Sequence, residues 1–462
     1  MNFKTLIALA VVAALPATGF AQNDPVLLLN KADAANISAH LADYKILNKS
    51  YEKLRKNADK ALKGTIDVPV PKDNGGGYTH EKHKQNYREM YSAGVAYRIS
   101  GDKKYAVFVE NMLLAYAKIY PGLPLHPLKK NDQNAGKLFW QSLNDYVWLV
   151  HGIQAYDLVK ENISAANREV IERDVFRSMA AFISESEGGK HTFNLIHNHG
   201  TWAVAAVGMT GYVLKDKDMV ERALYGSAKD KKTGFLKQID DLFSPDGYYS
   251  EGPYYQRYAL QPFMVFAQAI QLNQPELKIF EYRNGVLGKA TKTIFQLSDA
   301  NGFLLPINDV LKEKNIMTEE LMMAADIAYA YYKDASLLPV IKMQDEVLVS
   351  GAGFAAAKDV QAIDKKAVYE KQSMLIADGA DGKSGGLALL RATVGKKGEQ
   401  LSLVFKYASQ GMGHGHFDRL GLLFYDGGNA AAGTRVRKAM QDLKVIASDI
   451  RKEVTEKKNS TK

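Results

Sequence analysis

The sequence predicts a mainly α chain with a β part. Three observations carry this. From Pro25 to about Ile341, apolar residues recur mostly at three- and four-residue steps, the spacing of one helix face. Short turns of Gly, Pro and Asp, such as Gly101-Asp102 and Lys215-Asp216, separate many of these stretches, so successive helices fold back as antiparallel pairs. After Val340 the period changes to short apolar runs that read as strands. Stacked helix pairs close an α/α toroid or continue as an open solenoid.

The first residues are a separate matter. Met1-Asn-Phe-Lys4 is a short positive start, Leu6 to Leu15 is entirely apolar, and small residues follow up to Ala21. That is the pattern of a secretory signal peptide cleaved after Ala21. The run is too short to span a membrane, and none of comparable length follows. The chain has no Cys, hence no lipobox, disulfide or thiolate metal site. These features place the mature protein in a periplasm or in the medium, with no membrane attachment after cleavage.

The expected division is 1–21 signal peptide, 22–345 helical domain, 346–429 β domain and 430–462 tail. Leu27-Leu-Leu and Ile37, Leu41, Tyr44 and Ile46 open the helical part. A loop from Thr65 to Thr79 holds Pro69, Pro71 and Gly75-Gly-Gly77. Helical periodicity resumes over 86–100, 103–119, 138–159, 166–185, 203–213, 217–225, 254–272, 278–297 and 318–333. Strands are expected at Val347–Ser350, Ser373–Ala377, Gly386–Arg391, Leu401–Tyr407 and Leu420–Tyr425. Beyond Asn429, Met440, Leu443, Ala447, Ile450 and Val454 mark an amphipathic, charged helix.

That tail, from Thr434 on, has nine basic and four acidic residues, which is +5 of the chain's +9. The body is therefore only mildly basic, unlike a folded domain that binds nucleic acid. Mild basicity with 25 Tyr suits an acidic carbohydrate, because rings stack on sugars while cations and imidazoles meet carboxylates.

Four clusters carry chemistry. Asn198-His199-Gly200-Thr201-Trp202 crowds hydrogen-bonding groups at a helix start, where the helix dipole favours an anion; satisfied core histidines are the plainer alternative. Asp246 to Tyr258 includes Glu251, Tyr254, Tyr255, Arg257 and Tyr258. Tyr255 and Tyr258 share a helix face, and Arg257 can fork onto a carboxylate. If this is instead a core helix, Arg257 needs a buried partner. Gly75 to Asn86 includes Tyr78, His80 and His83. The two histidines have metal-like spacing but no companion ligands, so sugar contact or capping is expected. In Gly411-Met-Gly-His414-Gly-His416-Phe-Asp418-Arg419, a strand would point both histidines the same way. One metal ligand plus one substrate contact, or a structural turn, would account for them.

Taken together, Asn198-His199-Gly-Thr-Trp, Glu251-Gly-Pro-Tyr-Tyr-Gln-Arg-Tyr, Gly75-Gly-Gly-Tyr-Thr-His-Glu and His414-Gly-His-Phe-Asp resemble polysaccharide lyase family 17, the oligoalginate lyases, relatives of the heparinase II/III type. The resemblance covers roughly residues 25 to 429. It implies an incomplete α/α toroid followed by an antiparallel β-sandwich, with the site between them. It also implies exolytic β-elimination at a 4-linked uronic acid, giving unsaturated monouronate. The C5 proton is too weakly acidic to leave until the neighbouring carboxylate is neutralised. By match to the family, Asn198 and His199 neutralise it, and Tyr255 protonates the departing oxygen, with Tyr254 as its neighbour and rival. A phenol of pKa about 10 is already protonated at neutral pH, whereas a phenolate base would need nearby cations. The resemblance further implies that Arg257 and Tyr258 position the uronate, that His414 reaches the site from the sheet, and that Gln141 and Asn144 touch sugar. His80 and His83, in the segment of Tyr78, would line the non-reducing end.

No cofactor is implied for catalysis. A structural zinc is implied, with His416 as one ligand, and so is a second tyrosine acting as base. From Ala430 to Lys462 there is no Tyr and no His, so the base and two zinc ligands lack candidates there. A truncated, frameshifted or chimaeric ending would look like this. The competing expectation is a catalytically impaired uronan-binding remnant. A glycoside hydrolase is a third, with Asp246 and Glu251 as its two opposed carboxylates.

Overall fold

The computed structural model describes residues 26–128, 134–311, 313–394, 399–408, 414–416 and 420–425, with 452 and 456. Its helices are α1 Lys31–His40, α2 Lys45–Ala61, α3 Tyr78–Ser100, α4 Lys103–Ile119, α5 Ser142–Val159, α6 Ala165–Ile171, α7 Ser178–Ser184, α8 Glu187–Phe193, α9 Asn198–Leu214, α10 Lys217–Tyr225, α11 Phe235–Leu242, α12 Pro253–Asn273, α13 Tyr282–Gln296, α14 Glu319–Tyr332, α15 Leu338–Gln344 and α16 Gly351–Val360. The strands are β1 Met374–Ala377, β2 Gly386–Val394, β3 Glu399–Lys406 and β4 Gly421–Tyr425.

The helices form two layers. α3, α5, α9, α12 and α14 pack side by side in that order, and α2, α4, α10, α13 and α16 back onto them. Position in this arrangement explains the sequence. The inner α5 is buried from Asp145 to Val159, and α9 from Gly200 to Gly211. A helix enclosed on all sides needs no polar stripe. The outer α10 keeps one, with Met219, Val220, Ala223 and Leu224 buried.

Local chemistry sets the helix ends. Asp102 and Asp216 accept the backbone N–H groups of Lys104 and Met219 as N-caps. Gly101 ends α3 at φ 73°, a left-handed position that glycine takes without steric cost. Because the layers alternate, the inner helices run parallel, and the N-termini of α5, α9, α12 and α14 gather at one end.

The strands make an antiparallel sheet in the order β1-β2-β3-β4. Ile376, Leu387, Leu389 and Val404 face the toroid and pack on Tyr248, Leu297, Leu305 and Ile307. Polar ties fix the sheet in place. Asp246 accepts the N–H of Ala377 at 2.8 Å, and Lys406 donates to Asn308 at 2.6 Å.

Several expectations need correction. α3 begins at Tyr78, inside the expected loop and eight residues ahead of the periodic stretch expected over 86–100. Val347–Ser350 is not a strand; it is a buried bend leading into α16. Its backbone is satisfied by side chains, since Val347 donates to Ser50 and Leu348 to Asp326, so it needs no partner strand. The β part therefore starts at Met374 rather than at 346. The stretch expected as one helix over 166–185 is α6 and α7 joined by a π-helical turn at Glu172–Arg177.

Candidate active site

Gathered N-termini give the cleft its shape and its polarity. A cavity of about 710 Å³ is lined by Gln141 and Leu143 from α5, His197, Asn198 and His199 from α9, Tyr254, Tyr255, Arg257 and Tyr258 from α12, Lys314 and Glu320 near the start of α14, and His414 from the sheet side. Each helix start brings unpaired N–H dipoles and a partial positive charge. The volume is that of a small-ligand site.

At the start of α9, His197 is the N-cap, and its Nδ1 accepts the N–H of His199 at 3.3 Å. Asn198 donates its backbone N–H to Glu251 Oε1 at 2.9 Å and its Nδ2 to Glu251 Oε2 at 2.6 Å. The anion sitting on this helix terminus is thus the protein's own Glu251. Burial holds the His199 imidazole down to about 4, with His197 and His414 pushing the same way. His199 is therefore neutral at physiological pH, and it offers a hydrogen bond rather than a charge.

Tyr255 stacks flat on His414, with ring centroids 3.6 Å apart and planes 8° from parallel. Burial pushes its phenol up to about 12, helped by Asp309, Tyr254 and Glu251. The phenol is protonated at neutral pH, as a proton donor requires. Tyr254 meets Tyr255 edge-on at 5.1 Å. Arg257 is 7 % exposed and pairs with Glu320 at 2.6 Å, lying over the Tyr254 ring. This is the buried partner that the charge demanded. Glu320 takes the Arg257 Nη1, and Arg257 remains part of the cleft lining. Tyr258 packs against Trp202.

His414 donates its Nδ1–H to Asp309 Oδ2 at 2.9 Å, and His416 donates its Nε2–H to Asp309 Oδ1 at 2.6 Å. The two imidazoles hold the Asp309 carboxyl below its ordinary range. Sequence reading missed Asp309, which lies 105 residues from His414. It also missed His197, Lys314 and Glu320. Only His197 had a local signal, being next to Asn198.

Other expected residues lie elsewhere. His83 is fully buried, with Nδ1 at 2.9 Å from the Tyr116 hydroxyl, and His80 packs edge-on against Phe139. They are core histidines on the inward face of α3, not sugar contacts. Tyr78 is exposed and bonds to Asp67, and half-buried Asn144 is not among the cleft residues. Asp246 is tied to the sheet and Glu251 is enclosed, so these two carboxylates do not face each other across the cleft as a glycosidase needs. Asp418 and Arg419 lie outside the described residues.

Among the described residues, His197, Glu251 and His414 form the group whose ligand atoms converge closely enough for a metal ion. The tautomer argues against one. With Nδ1 of His197 accepting a hydrogen bond, the neutral ring carries its proton on Nε2, the atom that faces Glu251 at 3.5 Å. His416, the expected zinc ligand, belongs to no such group among the described residues.

Residues 31–302 match the family model described as Alginate lyase. The chain belongs to the alginate lyase family. It is 48% identical over 431 residues to the exo-oligoalginate lyase of Saccharophagus degradans, covering 93% of this chain and 58% of that protein. It is 48% identical over 426 residues to an alginate lyase of Stenotrophomonas maltophilia, covering 92% of this chain and 56% of that one. The chain thus spans somewhat over half the length of these relatives. The fold resembles a crystal structure of an alginate lyase from Bacteroides ovatus, with TM-score 0.50 and 14% identity over 72% of this chain and 98% of that one. It also resembles heparinase III, with TM-score 0.51 and 14% identity over 87% and 65%. At that identity the likeness is one of fold, and it agrees with a toroid followed by a β part. Residues 422–460, most of them outside the described residues, match a model described as Histone H1-like protein Hc1.

Proposed function

We propose that the chain is a polysaccharide lyase that shortens alginate oligomers from one end by β-elimination, releasing unsaturated monouronate. One observation carries this: Asn198, His199 and Tyr255, an amide, a neutral imidazole and a protonated phenol, line one cleft at the gathered helix N-termini. The names of the two relatives point to the same substrate, and they do not favour the binding-remnant alternative.

In the proposed reaction the substrate carboxylate takes hydrogen bonds from Asn198 and His199. A base removes the C5 proton, the electrons form the C4–C5 double bond, and the C4–O bond breaks. Tyr255 gives its proton to the departing oxygen. Its raised pKa suits that role and counts against Tyr255 serving as base. His414 is our candidate for the base. Asp309 holds its Nδ1, which leaves Nε2 as the atom able to take a proton, the arrangement by which a carboxylate orients a catalytic imidazole. Lys314 adds a cation for an acidic sugar, while Gln141 and Tyr258 supply polar and aromatic walls. No step requires a metal or cofactor.

The apolar run from Leu6 to Leu15 supports export to a periplasm or the medium. Among the described residues, no helix is long and apolar enough to cross a membrane.

The test is absorbance of the unsaturated uronate, together with product masses, on alginate oligomers. Growth of the band with monouronate as the first product supports the proposal. Binding without any band would favour the uronan-binding remnant.

A further inference from the structure

Glu251 has partners on every side and no part in the chemistry above. It is 1% exposed and lies in the turn that leads from Tyr249 into α12. Its Oε1 accepts the Asn198 backbone N–H at 2.9 Å and the Tyr249 hydroxyl at 3.0 Å. Its Oε2 accepts Asn198 Nδ2 at 2.6 Å, with Nε2 of His197 at 3.5 Å and Nε2 of His414 at 3.8 Å.

An ionised carboxylate only accepts hydrogen bonds. The end of the Asn198 carboxamide that meets Glu251 must therefore be its NH₂. Turning the amide over would press two oxygens together in a buried site, a costly arrangement. One hydrogen of Nδ2 is thus committed to Glu251, and the other has its direction fixed. A buried anion beside an anion-binding cleft would ordinarily repel the ligand. Here its charge is taken up by the start of α9, by Tyr249 and by Asn198 itself.

We propose that Glu251 is a positioning residue, whose negative charge locks the Asn198 carboxamide with its remaining N–H aimed at the substrate carboxylate. This rests on the lyase reading above. It assigns the orientation of the neutralising amide to a group 53 residues away in the chain.

A double-mutant cycle on turnover of an alginate trisaccharide tests it, with E251Q, N198A and the double variant. The E251Q change keeps the side-chain length but removes the charge and one of the two acceptors, so an NH₂ meets either Asn198 Nδ2 or the Asn198 backbone N–H and the lock on the amide is broken. The carboxylate is neutralised mainly as charge develops in the transition state. E251Q is therefore expected to lower kcat about 10- to 100-fold, with KM changed less than about threefold and an unchanged melting profile. In the N198A background E251Q should cost less than about threefold more, because the amide it positions is gone. Independent, additive losses would overturn the proposal, as would wild-type kcat in E251Q. Should E251Q fail to fold, E251D keeps the charge, shortens the reach by a methylene and enters the same cycle with the same expected coupling. A wild type without turnover overturns the lyase reading and this proposal with it. Additive losses in an active enzyme overturn this proposal alone.

Discussion

Tyr255 and His414 lie face to face, the first proposed to give a proton and the second to take one. Y255F should reduce turnover on the order of 10²- to 10⁴-fold, the usual worth of a positioned acid. Trisaccharide affinity by calorimetry should change little. Turnover retained in Y255F would hand the role to Tyr254, which lines the same cleft. D309N should lower kcat by roughly 10²-fold or more through the His414 ring it orients; unchanged kcat would remove His414 as base. Buried histidines give a pH signature. Burial holds His83 down to about 4 against an ordinary 6.5. Between these values the unfolded chain binds the proton that the folded one refuses. The stability from this ring is therefore complete above pH 6.5 and is lost as pH falls toward 4. The melting-temperature gap between wild type and H83Q should narrow over that interval, and a constant gap would contradict the assignment. At this scale the sequence showed Asn198, His199 and Tyr255 because each sits in a compact local motif. It could not show Glu251, Glu320 or Asp309 acting on their partners, which are 53, 63 and 105 residues away.

Among the elements, the crossing of α9 with α12 matters most, because it brings Asn198 and Tyr255 to one cleft. Gly208 allows that approach: a Cβ there would lie 2.1 Å from Phe266 Cζ and 2.9 Å from the Ala223 methyl. Gly208→Ala should destabilise the chain by about 1–3 kcal/mol through overpacking, and turnover should fall with it; denaturant melts that match wild type would show the crossing to be looser than described. Helix periodicity was clear where helices have a wet face, so α4 and α10 appear at their expected bounds, Lys103–Ile119 and Lys217–Tyr225. Enclosed helices lose that stripe, and α9 begins at Asn198, five residues ahead of its apolar pattern. The short α11 was passed over although Phe235, Ile239 and Leu242 recur at helical steps, and α16 buries Ala352, Gly353, Ala356 and Ala357, small residues that mark a helix weakly. Val347–Ser350 was apolar because it is buried, and burial alone does not make a strand.

For the whole molecule, parallel inner helices place the cleft. Each contributes its N-terminus to one end of the toroid, and the sheet is held against that end by Ala377 on Asp246 and Lys406 on Asn308. The result is a cleft with helix dipoles directed inward, suited to an acidic sugar. The sequence disclosed this architecture through its change of period and its short turns, but it placed the β part too early, because α15 and α16 still belong to the helical layers. The central claim is elimination at the end of an alginate oligomer. The most direct measurement is mass spectrometry of the first products from a purified trisaccharide. Elimination gives an unsaturated monouronate and a disaccharide whose masses sum to that of the starting material. Products that together carry one added water, or an intact trisaccharide bound in the cleft, would contradict it.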